Sequence, residues 1–316
     1  MSSTEENKDI NFSSNYEDVI IDFRMVKDIL TFNNISSLGS LAIVRKPKIK
    51  PLEREVTFST ISSGDRSFKF FDILDIETEN DELEIIDVKE MENGDLVMTD
   101  RLSGSVFIHN KSQRTTKTLN VGEYPDCIAV VDRSTIAVTQ GRRNVVVVDV
   151  KIRKVMKTIE LDDKAEGLTL VDAKLIVNCR NKGIQILQIS GDFVAAIPHL
   201  TGRLYLHAFG LDNILCSDQE NNTVMCINLQ GETLFSCSLT GLKEPYGITV
   251  DNYGNFFIAG MKSSAIYKFL PDGSEGSRFL RPRDGLQHPY ILLWRRDGSM
   301  LVSNKSGRSI ELYKYR

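Results

Sequence analysis

Two carboxylates, Asp126 and Glu166, stand in matching contexts, "YPDCIAVVD" and "KAEGLTLVD", and two tyrosines, Tyr246 and Tyr290, occupy similar contexts in "EPYGITVD" and "HPYILLW". A pair of acids brought close together could act as general acid and base, or bind a hard cation. Calcium, however, takes ~6–8 oxygen ligands, and two carboxylates flanked by tyrosines fall short of that set. The sequence carries no Gly-rich phosphate loop, no G-x-S-x-G elbow and no H-E-x-x-H, motifs that position phosphates, nucleophiles or zinc. The reading is therefore not an enzyme, with no cofactor and no metal; a metal-dependent hydrolase is the remote alternative. Asp126 and Glu166 read better as neutralisers of nearby arginines.

Those arginines recur in a series of short polar segments, "TDRLSGS", "TQGRRN", "NCRNKG", "SDQENN", "GMKSS" and "SNKSGR". They hold Arg101, Arg142, Arg143, Arg180, Lys182, Lys262, Lys305 and Arg308 against Asp100, Asp218 and Glu220. Eight basic side chains against three acidic ones, in a chain of formal net charge −4, describe a local positive field suited to an acidic peptide or to phosphates. The tyrosines beside it could grip a peptide or stack on bases, or could fill space as wedges.

A repeat must position these groups. Six stretches share one order: an alternating apolar strand, a Gly/Asn turn, a second strand, a polar loop and a third strand. The residues that close the second strand, Thr99, Thr139, Asn178, Ser217, Ala259 and Ser303, are spaced by 40, 39, 39, 42 and 44. A period near 40 built of short strands is the four-stranded blade of a β-propeller. Strands such as "NVVVVDV" and "KLIVNC" are continuously apolar, as expected of sheets covered on both faces. In such a ring, the loops joining second to third strands share a face with the loops joining successive repeats, which gathers the basic segments, Asp126, Glu166 and the tyrosines at one channel mouth.

The last repeat ends at "SIELYKYR" with no residues for an outer strand, while "SFKFFDILDI" (residues 67–76) precedes the first complete repeat and belongs to none. The expectation is that this stretch supplies the missing strand and closes the ring, which removes an exposed edge. Upstream, residues 1–14 read as disordered, and Val19, Phe23, Val26 and Leu30 lie at helical spacing behind Asn15 and Asp18, which predicts one short amphipathic helix. The division is thus 1–55 for tail, helix and linker, and 56–316 for the propeller.

No basic, apolar leader and no run of ~18 apolar residues occurs, so a cytoplasmic protein without membrane partner is expected, and the Asn-x-Ser/Thr matches are taken as chance. The five cysteines are odd in number and show no C-x-x-C pair, and they read as buried free thiols rather than zinc ligands.

The stretches "EPYGITVDNYGNFFIAG…AIYKF" and "HPYILLWRRDGSMLVSN…SIELY" resemble the NHL repeat, and the region from about Phe58 onward resembles the NHL propeller of tripartite-motif proteins. The aspartate of that repeat is kept only at Asp100 and Asp218, and the cysteine/histidine array of a RING and B-boxes is missing before residue 58. The resemblance therefore implies a partner-binding platform, for protein substrates in a ubiquitin-ligase pathway or alternatively for single-stranded RNA, but not ligase activity.

Overall fold

A computed structural model describes residues 68–76 and 82–315. Within them lie six four-stranded antiparallel sheets, each built from consecutive strands except the last, and together they make a six-bladed β-propeller. The exception is the predicted closure. Phe68–Ile73 pairs antiparallel with Ser309–Tyr315, with Phe68 opposite Tyr315 and Ile73 opposite Glu311, so the final sheet combines the start of the described chain with its end. The helix expected after Asn15, the linker and the 55/56 boundary lie outside the described residues.

The continuously apolar strands are explained by their two neighbours. Along Asn144–Asp149 the four valines are all buried, Val146 and Val148 against Val97, Val106 and Val121 of the first blade, and Val145 and Val147 in the large cluster of the opposite face. A strand buried on one side only would alternate polar and apolar residues; these cannot. Each such valine contributes roughly 1.5–3 kcal/mol on burial.

The residues that mark the repeat also join the blades. Thr99 donates its hydroxyl to the carbonyl of Asp126 at 2.6 Å, Asn178 accepts from the amide of Leu204 at 3.2 Å, Ser217 donates to the carbonyl of Tyr246, and Ser303 donates to the carbonyl of Ile85 at 3.0 Å. Each bond crosses to the next blade, and that of Ser303 crosses from the sixth back to the first. A small polar side chain at this position thus links four of the six blades to the next, while Thr139 bonds to the backbone of Cys127 in its own blade. Ala259 lacks the group, and there the fifth and sixth blades are joined by the Gly247 amide to the Tyr290 carbonyl and the Trp294 amide to the Thr249 hydroxyl.

A second recurring bond sets the face that carries the candidate residues. In all six blades the amide just after the second strand donates to a carbonyl just before the first: Arg101 to Glu84, Gly141 to Tyr124, Arg180 to Lys164, Gln219 to Arg203, Met261 to Glu244 and Lys305 to Gln287. The two loop sets expected to share a face are therefore hydrogen-bonded together.

Candidate functional site

At that face the channel opens into a cavity of about 920 Å³. The register of the innermost strands explains what points into it. In the first, second, third and fifth blades the pairing with the second strand slips near its start, between Ile85 and Asp87, Pro125 and Ile128, Ala165 and Gly167, and Pro245 and Ile248. Such bulges re-aim the extra residue out of the ladder, and the residues in the slips include Ile86, Asp126, Glu166 and Tyr246. The fourth blade has no slip, and its corresponding residue, Tyr205, forms the floor.

Tyr205 is only 2% exposed. From the fourth blade its hydroxyl reaches the first, donating to Asp87 at 3.1 Å and accepting from Lys89 at 2.8 Å. Asp87, fully buried, also accepts from Lys89 at 2.8 Å and from the amides of Val88 and Ile128 at 2.8 and 2.7 Å. A buried carboxylate is stable only when so fully engaged. Deeper in the channel, burial pushes the half-buried imidazole of His207 down to about 3, with the charge of Lys89 acting in the same direction.

Seven of the predicted residues meet around the cavity: Arg101, Arg180, Lys262, Asp126, Glu166, Tyr246 and Tyr290. Tyr246 packs edge-on against Tyr290 with ring centroids 4.5 Å apart and lies 6.0 Å from the ring of Tyr205, so the three aromatics form one continuous wall. Arg142 and Arg143 instead border a separate shallow depression with Gly141, Asn144 and Lys164. Lys182, Lys305 and Arg308 line neither space.

Five of the eight predicted bases stand in ion pairs, which reduces the positive field; Arg143, Lys305 and Arg308 form none with the described residues. Arg101 contacts both oxygens of Asp126 at 3.2 and 3.3 Å and Glu84 at 3.5 Å. Arg180 contacts Glu166 at 3.2 Å and Glu220 at 3.7 Å, and Glu166 is shared with Lys164 at 3.0 Å. Arg142 pairs with Glu123, Lys182 with Asp162 and Lys262 with Glu244. The acids Glu84, Glu123, Asp162 and Glu244 come from the loops between blades. Counting charges on one loop set alone therefore overstated the positive excess of the face. The neutralising role read for Asp126 and Glu166 is the geometry observed.

Burial raises the Asp126 carboxyl to about 6, against the opposing pull of Arg101 and with a further push from Glu166. In the unfolded chain this proton leaves near about 3.9. The group's contribution thus favours the fold at low pH and is withdrawn as the pH rises from about 4 through 6. Asp126→Asn is expected to gain about 2 kcal/mol relative to the wild type between pH 4 and 7, read from denaturant midpoints at the two pH values. The reverse pull of His207 is common to both proteins and cancels; a constant difference across this range would contradict the assignment.

Sequence reasoning did not reach Tyr205, Arg203, Lys243 or Tyr124, all of which line the cavity. For Tyr205 a signal existed: it lies 39 residues after Glu166, within the period. The cysteines Cys127, Cys179, Cys216 and Cys226 are buried and free, and Cys237 is free and half-buried. Burial raises the thiol of Cys226 to about 11 and those of Cys179 and Cys237 to about 12, which keeps them unreactive. Among the described residues no group of three or more His, Cys, Asp and Glu side chains is placed to hold a metal ion, and no helix is long and apolar enough to cross a membrane.

No family model and no curated protein matches the sequence. Solved structures do match the fold. A streptogramin B lyase is similar at 14% identity and a TM-score of 0.61, over 79% of this chain and 98% of that one. A protein of unknown function from Bacteroides thetaiotaomicron is similar at 16% identity and a TM-score of 0.63, over 79% and 76%. A chain of the mitotic checkpoint complex is similar at 11% identity and a TM-score of 0.59, over 75% and 76%. At such identities the likeness establishes a shared propeller fold.

Proposed function

We propose that the protein is a non-catalytic recognition module that holds a segment of a protein partner in the cavity at the channel mouth. The observation that carries this reading is the composition of the cavity wall: six basic and four acidic side chains, five of the bases in ion pairs, beside three aromatic rings. A polypeptide, which presents both charges and apolar side chains, complements such a wall, and half-buried aromatics beside arginines are the usual anchors of protein interfaces. A polyphosphate chain fits less well, because Asp126, Glu166, Glu220 and Glu244 would face it. Single-stranded RNA is accordingly the competing ligand.

No reaction is assigned to the cavity. Its two most buried carboxylates are engaged by guanidinium groups, Asp126 by Arg101 and Glu166 by Arg180, an arrangement that reads as charge neutralisation. The name of the streptogramin B lyase belongs to that enzyme. The resemblance of the last two repeats to NHL propellers extends the proposal to substrate recognition in a ubiquitin-ligase pathway in the cytoplasm, with ligase chemistry supplied by another protein. A photoreactive residue placed at Tyr124, half exposed on the cavity rim, tests the reading by the identity of what it captures from cells.

A further inference from the structure

The bases nominated by the sequence repeat lie largely in ion pairs; a different group does not. The turn between the third and fourth strands of the first blade, with the outer strand Thr115–Asn120, carries Lys111, Arg114 and Lys117, and the same parts of the second blade, with Lys154–Glu160, carry Lys151, Arg153 and Lys154. All six are exposed, and none forms an ion pair with another described residue. The segments 111–117, "KSQRTTK", and 150–157, "VKIRKVMK", contain no Asp or Glu. Of the acids in the adjoining elements, Asp149, opposite Lys154 in the ladder, accepts the amides of Lys151 and Ile152, Asp95 accepts those of Asn93's side chain and Lys111's backbone, Glu92 pairs with Arg133, and Glu160 ends the outer strand of the second blade, so the bases outnumber the acids without excluding them.

The rim is polarised. The corresponding turns and outer strands of the third, fourth and fifth blades carry Asp192, Glu232, Asp272 and Glu275 against a single base, Arg278, whose guanidinium lies over the Tyr267 ring. Two apolar side chains project among the bases of the second blade, Ile152 at the tip of the turn, 60% exposed, and Met156 on the outer strand, 56% exposed.

We infer that the outer rim of the first two blades is a docking surface for an anionic phospholipid bilayer. Unpaired lysines and arginines gain by approaching a negatively charged leaflet without first giving up a partner. Ile152 and Met156 stand out from a convex edge, where they can enter the headgroup region as interfacial apolar residues do, and the flexible stems of the lysines follow them. The acidic rim of the opposite blades is repelled, so the disc stands on one edge. That posture leaves the channel mouth open to a protein ligand, and the inference does not depend on what the mouth binds.

The test is co-sedimentation of the full chain with vesicles of phosphatidylcholine alone and of phosphatidylcholine mixed with phosphatidylserine. Binding is expected to the mixed vesicles only, to weaken with salt, and to fall at least about a hundredfold in Lys151→Glu/Arg153→Glu/Lys154→Glu, since each base near the leaflet contributes about a fivefold factor. Ile152→Ser/Met156→Ser is expected to weaken it by about tenfold or more, with the melting temperature unchanged in both variants because all five side chains are exposed. Equal binding to both vesicle types, binding to neither, or unaltered binding of the charge variant overturns the inference. Binding of poly-glutamate that excludes binding to the mixed vesicles would assign the rim to an acidic protein instead.

Discussion

Phe68→Ala is expected to lower stability by about 3–5 kcal/mol, the usual cost of emptying a buried phenylalanine site, and the melting temperature by roughly 10 °C for a domain of this size. Phe68 is the first described residue of the closing strand and 8% exposed. Its ring stacks on Trp294 at 5.8 Å and on Tyr313 at 6.4 Å and meets Phe279 at 5.1 Å. It belongs to the cluster that also contains Phe257, Leu280, Leu292 and Val302, between the fifth and sixth blades. The substitution therefore removes the apolar anchor of a strand held otherwise by its ladder with Ser309–Tyr315. Phe70→Ala, two residues on and 43% exposed, is the control and should cost less than half as much. Thermal melts and proteolysis of the final sheet check both, and equal losses from the two substitutions would show that the strand is held by its backbone alone.

Arg101→Ala is expected to cost about 1–3 kcal/mol, because removing the half-buried guanidinium leaves the buried Asp126 carboxylate without its partner. The guanidinium joins the first blade to the second through Asp126 and to the loop before the first blade through Glu84. Without it two carboxylates face each other at the channel mouth with Glu166 nearby. Adding Asp126→Asn to Arg101→Ala should recover more than half of the loss, a coupling measurable by a double-mutant cycle. Independent, additive effects would mean that solvent already screens the pair. For partner binding no recovery is expected, because the double variant restores stability and not the guanidinium.

Closure was legible in the sequence because a repeat is a counting device. A period near 40 with one strand too few at one end and one too many at the other permits few arrangements, and "SFKFFDILDI" could only go to the last sheet. The inter-blade role of Thr99, Asn178, Ser217 and Ser303 was visible as a marker before its cause was known: in four of the six blades a small group at this position bonds to the next blade. The candidate site was legible only in part. Asp126, Glu166, Tyr246 and Tyr290 could be placed by their context, but Tyr205 sits in a repeat whose first strand, "LYLHAF", keeps neither the proline nor the glycine of its relatives. Its regular register, in place of a bulge, sends the ring down to the floor.

The charge of the face was misjudged for a physical reason. Ion pairing is a property of two loops at once, and the partners Glu123 and Arg142, or Asp162 and Lys182, lie 19 and 20 residues apart, separated by the first two strands of a blade. Nothing in the composition of either loop announces the other. The unpaired bases of the outer rim were overlooked for the converse reason: turns on the opposite side of the repeat carry no aligned signature, and their significance rests on their excess over the acids around them and on their lack of ion pairs with the described residues.

The most direct test of the recognition proposal compares two photoreactive substitutions, one at Tyr124 on the rim of the cavity and one at Tyr253, 84% exposed in the turn of the fifth blade on the other face of the disc. The position at Tyr124 should capture a protein set that the position at Tyr253 does not, and this set should be lost when Arg180→Glu and Lys262→Glu are added. Identical capture from the two faces, capture indifferent to those reversals, or adducts at Tyr124 that are destroyed by ribonuclease would contradict the assignment of the cavity to a protein partner.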